Sequence, residues 1–164
     1  MKKLIFVLAV CMALGIAGFA SAGTQKGDTT LVGSAGYRNY TTPEYWDIYA
    51  QIGIGHFLTD QFQLEATLAG SWDEDSSMYG VLLRPNYHFA TQTSFVPYVG
   101  VSAGGYFLKG DFDETVFSYG AQIGVKQFFR ENAFMQVECN WQRYEVESES
   151  EDLLQIVLGF GFEI

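Results

Sequence analysis

The chain closes on "LLQIVLGFGFEI", Leu153 to Ile164. From Leu154 every second residue is large and apolar: Leu154, Ile156, Leu158, Phe160, Phe162 and Ile164. Between them stand Gln155, Val157, Gly159, Gly161 and Glu163. A period of two is strand language, because successive side chains of a strand project to opposite faces. A soluble protein would turn the greasy face into its core and the other face to water. The second face decides against that. It is glycine with little charge, whereas the solvated face of an antiparallel strand is polar throughout. The apolar face is therefore expected to point outward, into lipid.

The same alternation runs through most of the chain. Eight segments read as strands: Asp28–Asn39, Glu44–Leu58, Gln61–Trp72, Met78–Phe89, Phe95–Leu108, Val116–Phe129, Ala133–Tyr144 and Leu153–Ile164. In the second, Trp46, Ile48, Ala50, Ile52 and Ile54 oppose Asp47, Tyr49, Gln51, Gly53 and Gly55. In the sixth, Phe117, Tyr119, Ala121, Ile123 and Val125 oppose Ser118, Gly120, Gln122, Gly124 and Lys126. Aromatic residues gather near segment ends with aliphatic ones between, as in the girdles and apolar band of a membrane barrel. Lipid leaves no backbone group unpaired, and a closed barrel meets that demand without an edge.

The N-terminus, "MKKLIFVLAVCMALGIAGFASAG", has two lysines, an apolar run and the small-x-small triplet Ala20-Ser21-Ala22. It reads as a secretory signal peptide over residues 1–22, which leaves residues 23–164 as one barrel domain. Loss of Lys2 and Lys3 takes the net charge from −10 to −12, which argues against nucleic acid as a partner. Cys139 is then the only cysteine, so no disulfide staples the exported chain. No segment after the leader is apolar for long enough to be a membrane helix.

The connections alternate. The even ones, Thr59-Asp60, Ala90–Ser94 and Arg130–Asn132, are short and carry few acids. The odd ones, "WDEDSS", "KGDFDET" and "EVESESED", are acidic and expected to be slightly longer. In a barrel with both termini in the periplasm, even connections are periplasmic turns and odd ones face outside. Together with the leader, the eight strands and the terminal aromatics, this resembles the small outer-membrane barrels of the OmpX and OmpA type, the "outer membrane protein β-barrel" family. The resemblance implies an all-β, eight-stranded, antiparallel up-and-down transmembrane barrel. It implies a multi-pass monomer in the outer membrane of a Gram-negative-type bacterium, surrounded by lipid and lipopolysaccharide. It also implies that Leu158, Phe160, Phe162 and Ile164 form the signal read by the outer-membrane assembly machinery. The usual last residue of such a signal is Phe, and here it is Ile164.

Inward parity collects Arg38, Asp47, Glu65, Arg84, Lys126, Glu138 and Glu163. An eight-stranded barrel is about filled by its own side chains, so these charges are expected to pair and plug the lumen. The inward glycines are expected to leave small water pockets. Pro85 interrupts the fourth strand and calls for a bulge there.

No catalytic set is visible. His56 has outward parity, and His88 reads as a hydrogen-bonded interior residue. Neither has the matching serine of a lipid-modifying enzyme. Asp73, Glu74 and Asp75, or Asp111, Asp113 and Glu114, offer oxygens but lack the spacing of a calcium loop. "GSW" at Gly70–Trp72 lies on the third strand, not on the first as in lipocalins. The expected protein is neither an enzyme nor a cofactor carrier. It has a structural or surface-interaction role, with a narrow porin-like pore for ions or small solutes as the alternative and a membrane-embedded lipid-modifying enzyme as the third reading.

Overall fold

A computed structural model gives the architecture and describes residues 24–41, 44–72, 77–109, 114–146 and 149–164. Asp73, Glu74, Asp75, Asp111 and Asp113 and the expected leader at 1–22 lie outside the described residues, whereas Glu114 is among them. The strands are β1 (Thr29–Thr41), β2 (Glu44–Phe57), β3 (Phe62–Trp72), β4 (Ser77–His88), β5 (Phe95–Lys109), β6 (Glu114–Arg130), β7 (Ala133–Val146) and β8 (Glu149–Glu163). Each pairs antiparallel with its neighbours in sequence order, and β8 returns to β1 to close the barrel. The closing ladder runs Thr30–Tyr37 against Ile156–Glu163.

The barrel is apolar outside and polar within. Outward Ile52, Leu68, Val81, Val101, Ile123 and Leu158 are each between 51% and 61% exposed. Inward Arg84, Lys126 and Glu138 are 3% or less exposed. A contiguous apolar exterior of this kind needs a nonaqueous neighbour. Exposed rings mark two belts: Phe62, Tyr87, Phe89, Phe129 and Phe162 near one end, and Trp72, Tyr79, Phe107, Phe117 and Trp141 near the other. In the second belt, Trp72 Nε1 donates to the Tyr79 hydroxyl at 3.1 Å, the partnering that such amphipathic rings need at an interface.

Both ends of the described chain lie at the end of the barrel that carries the even connections. Ile164 N–H donates to Thr29 O at 2.8 Å, and Gly27 N–H donates to Phe57 O at 2.9 Å. Gly27 has φ +98°, a left-handed conformation that its missing Cβ makes cheap. Lys26 N–H reaches Asp60 Oδ1 at 2.9 Å, which ties the entering segment to the β2–β3 turn.

The odd connections are not the longer ones. They span 42–43, 73–76, 110–113 and 147–148, whereas the even connection between β4 and β5 spans 89–94. Much of "EVESESED" is strand: Glu145 pairs with Ser150 and Val146 with Glu149. The physical reason is that ladder hydrogen bonds do not require apolar side chains. Past the apolar band water meets the outer face, so alternation stops there while pairing continues.

Pro85 brings no bulge. Burial alternates without a break from Val81 to His88. The β4–β5 register is the same on both sides of the proline, at Leu83↔Ala103 and Asn86↔Gly100. That register sets Val101 opposite Pro85, which has no N–H to offer. The Val101 carbonyl accepts instead from Gln122 Nε2 at 3.1 Å. A side chain thus serves the backbone group that the proline leaves, and the ladder needs no extra residue.

Three of the inward glycines hold rings. Gly124 pairs with Tyr98, Gly161 with Phe134 and Gly80 with Tyr106. A Cβ at Gly124 would lie 2.5 Å from the Tyr98 hydroxyl. Gly124→Ala must push that ring aside, and overpacking of this kind costs about 1–3 kcal/mol. Gly33→Ala, where nothing lies within 4 Å of the new methyl, should change stability by less than ~0.5 kcal/mol. Urea unfolding in lipid vesicles, followed by the unboiled gel band, compares the two variants.

Candidate functional site: the barrel lumen

The lumen is layered. Val32, Val96, Phe128 and Phe134 form a small apolar cluster toward the even-turn end. Tyr49, Ala69, Leu82, Tyr106, Val116, Tyr144, Leu153 and Val157 form a larger one toward the other end. The charges fall between. Along β4, Arg84 lies between Leu82 and His88; along β6, Lys126 lies between Val116 and Phe128; along β7, Glu138 lies between Phe134 and Tyr144.

Arg84 is the hub. Its Nη1 donates to Glu65 Oε1 at 3.0 Å and its Nη2 to Glu138 Oε2 at 2.5 Å. It therefore joins β3 to β7, on different walls of the barrel. Each carboxylate has further donors. Thr67 Oγ1 donates to Glu65 Oε1 at 2.9 Å, Tyr98 Oη to Glu138 Oε2 at 2.7 Å and Asn140 Nδ2 to Glu138 Oε1 at 3.1 Å. A buried ion cluster holds only when its lone pairs are met in this way.

Lys126 is neighbour to this cluster but makes no ion pair with a described carboxylate. Its Nζ donates to Gln63 Oε1 at 3.3 Å. It lies 4.8 Å from the Phe134 ring centroid, 5.6 Å from Phe57 and 5.7 Å from Tyr98. An ammonium away from water is stabilised by ring faces as well as by anions. Glu65, Arg84, Lys126 and Glu138 carry two charges of each sign, so the buried set is neutral.

The remaining expected members stand apart. Glu163 is half-buried near the even-turn end, opposite Thr30, and its Oε1 has no partner among the described residues. Arg38 and Asp47 are backbone partners in the β1–β2 ladder, while their side chains lie outside the described residues. Leu158, Phe160, Phe162 and Ile164 all point outward, between 53% and 77% exposed.

His88 is interior but not hydrogen-bonded through its ring. Neither ring nitrogen has a partner among the described residues. The ring stacks on Tyr98 at 5.2 Å and tilts against Phe57 at 4.9 Å, so packing rather than hydrogen bonding places it. His56 faces outward, 3.1 Å from Thr29 Oγ1.

Inward parity includes Tyr49 and Tyr98, but reading charge missed the rest of the aromatic share of the lumen: Phe57, Phe128, Phe134, Tyr106 and Tyr144. A usable signal existed. A large ring of inward parity with an inward glycine on the facing strand, as in Tyr98↔Gly124, places the ring inside.

A sequence search among curated proteins finds no match. Solved structures show the same fold. Neisserial surface protein A superposes with a TM-score of 0.70 at 14% identity, covering 85% of this chain and 97% of that one. The N-terminal β-barrel domain of Pseudomonas aeruginosa OprF gives 0.61 at 24% identity, covering 85% of this chain and 100% of that one. Yersinia pestis Ail, the attachment invasion locus protein, gives 0.53 at 12% identity, with coverage of 85% and 100%. The family model described as "Outer membrane protein beta-barrel domain" matches residues 8–163, so this chain, with its apolar exterior and closed eight-stranded ladder, belongs to that family of outer-membrane barrels.

Proposed function

We propose that the protein is a non-conducting outer-membrane barrel with a structural or surface-interaction role, its lumen plugged by its own side chains. The observation that carries this reading is Arg84 held between Glu65 and Glu138 on different walls, with apolar clusters on both sides. An ion crossing the lumen would have to part this bridge and shed its water among rings. That is a steep barrier in a low-dielectric interior.

In this reading the leader over residues 1–22 is removed and both termini lie in the periplasm. The acidic odd connections then face outside, beside lipopolysaccharide. The protein is a monomer, and Leu158, Phe160, Phe162 and Ile164 are read by the assembly machinery during insertion. A catalytic role is disfavoured because the two histidines occupy opposite faces of the wall, His56 outside and His88 among rings.

Planar-bilayer recording tests the plug. The expected result is little or no steady conductance from the folded protein. Large, stable channels would refute it and establish the narrow pore instead.

A further inference from the structure

Five carboxamides lie on one cross-strand row inside the barrel. Gln155 pairs with Asn140, Asn140 with Gln122, Gln122 with Gly100, Gly100 with Asn86 and Asn86 with Gln63. All five amides are at least 92% buried. The lower two have partners. Gln63 Nε2 donates to Thr30 Oγ1 at 2.6 Å and Gln63 Oε1 accepts from Lys126, while Asn86 Oδ1 accepts from Gln122 Nε2 at 2.9 Å.

Each of the upper three has a polar side-chain atom with no partner among the described residues. Gln122 spends Nε2 on Asn86 and on the Val101 carbonyl, and Asn140 spends Nδ2 on Glu138. Their orientations are thereby fixed, and the atoms left over are both acceptors: Gln122 Oε1 and Asn140 Oδ1 have no partner among the described residues. Gln155 has none for either Oε1 or Nε2. Native structures rarely leave buried polar atoms in this condition. Two fixed acceptors beside an amide with a free donor and a free acceptor call for a small molecule that donates and accepts. Water fits that description and is the usual occupant of such sites.

The β1–β8 register also ends beside this row. Along the axis, Leu153 and Val157 of the upper apolar cluster flank Gln155 on the inner face of β8. Sideways, the β1–β8 ladder stops at Tyr37↔Ile156, although β1 runs on to Thr41 and β8 begins at Glu149. Gln155 is the first inward residue of β8 past the last paired one, and Arg38, which faces it by that register, has its side chain outside the described residues.

We propose that Gln155, Asn140 and Gln122 bind ordered water inside the barrel, and that this water enters through the β1–β8 seam beyond Tyr37 and Ile156. The site stands whether or not the lumen conducts ions, because it depends on local partners and not on the Arg84 bridge.

Nuclear magnetic resonance of the full mature barrel in lipid nanodiscs tests it without a mutation. The side-chain NH2 protons of Gln155 and Asn140 should show through-space cross-peaks to water with the sign of a bound molecule. Those of Gln63, on the same row but fully partnered, should show none. On transfer to deuterated water, signal should be lost first at Gln155, then at Asn140, then at Gln122. No water contact at Gln155 and Asn140, or equal contact at Gln63, would overturn the site. Loss in the reverse order would overturn the seam as its entrance.

Discussion

Replacing Arg84 by methionine should lower the unfolding free energy by about 3–5 kcal/mol, because it leaves two buried carboxylates without their cation. Glu65 and Glu138 are 5% and 1% exposed, so both charges lie away from bulk water. Thr67, Tyr98 and Asn140 would still donate to them, but neutral donors do not offset the repulsion of two anions in one lumen. The loss should shrink when Glu65→Gln and Glu138→Gln are added, since neighbours in one network couple by ~0.5–3 kcal/mol. Urea unfolding in vesicles measures both steps. A single Arg84→Met variant as stable as the parent would remove Arg84 from any role in closing the lumen, and strictly additive losses would mean the three groups act separately.

Leu158→Arg should cost about 2–4 kcal/mol, the penalty of a charge on the lipid face near the bilayer midplane. Leu158 is 58% exposed on the outer face and lies midway along β8 between the belt residue Phe162 and Leu154. Ser150→Arg supplies the control on the same strand. Ser150 pairs with Glu145 beyond the apolar band, where the cost falls to about 0–1 kcal/mol. Refolding yield into vesicles and the unfolding midpoint read the difference. Equal tolerance of the two variants would mean that the apolar face of β8 does not meet hydrocarbon.

Strand count, alternation and inside-out facing were legible in the amino-acid sequence because each is a local property. Leu154 to Ile164 alternates whatever its neighbours do, and a second face rich in glycine and short of charge is poor solvent-facing chemistry wherever the strand sits. The acidic balance is likewise compositional. Parity alone also picked out Glu65, Arg84, Lys126 and Glu138 as inward.

Partnership was not legible, because it depends on register between strands far apart in the chain. Arg84 and Glu138 are 54 residues apart, and only the closed ladder brings them together. The same stagger denies Lys126 a carboxylate and gives it Phe57, Tyr98 and Phe134 instead. Pro85 looks like a defect when β4 is read alone. It ceases to be one when Gln122, on β6, reaches the Val101 carbonyl. Gly80, Gly124 and Gly161 read as empty space until Tyr106, Tyr98 and Phe134 are laid over them from the facing strands. The sequence by itself thus determined that this chain forms a lipid-facing barrel and which charged residues of the described lumen line it. The tertiary structure decided how the lining fits together, because stagger between paired strands sets which side chains share a level, and a period of two carries no record of stagger.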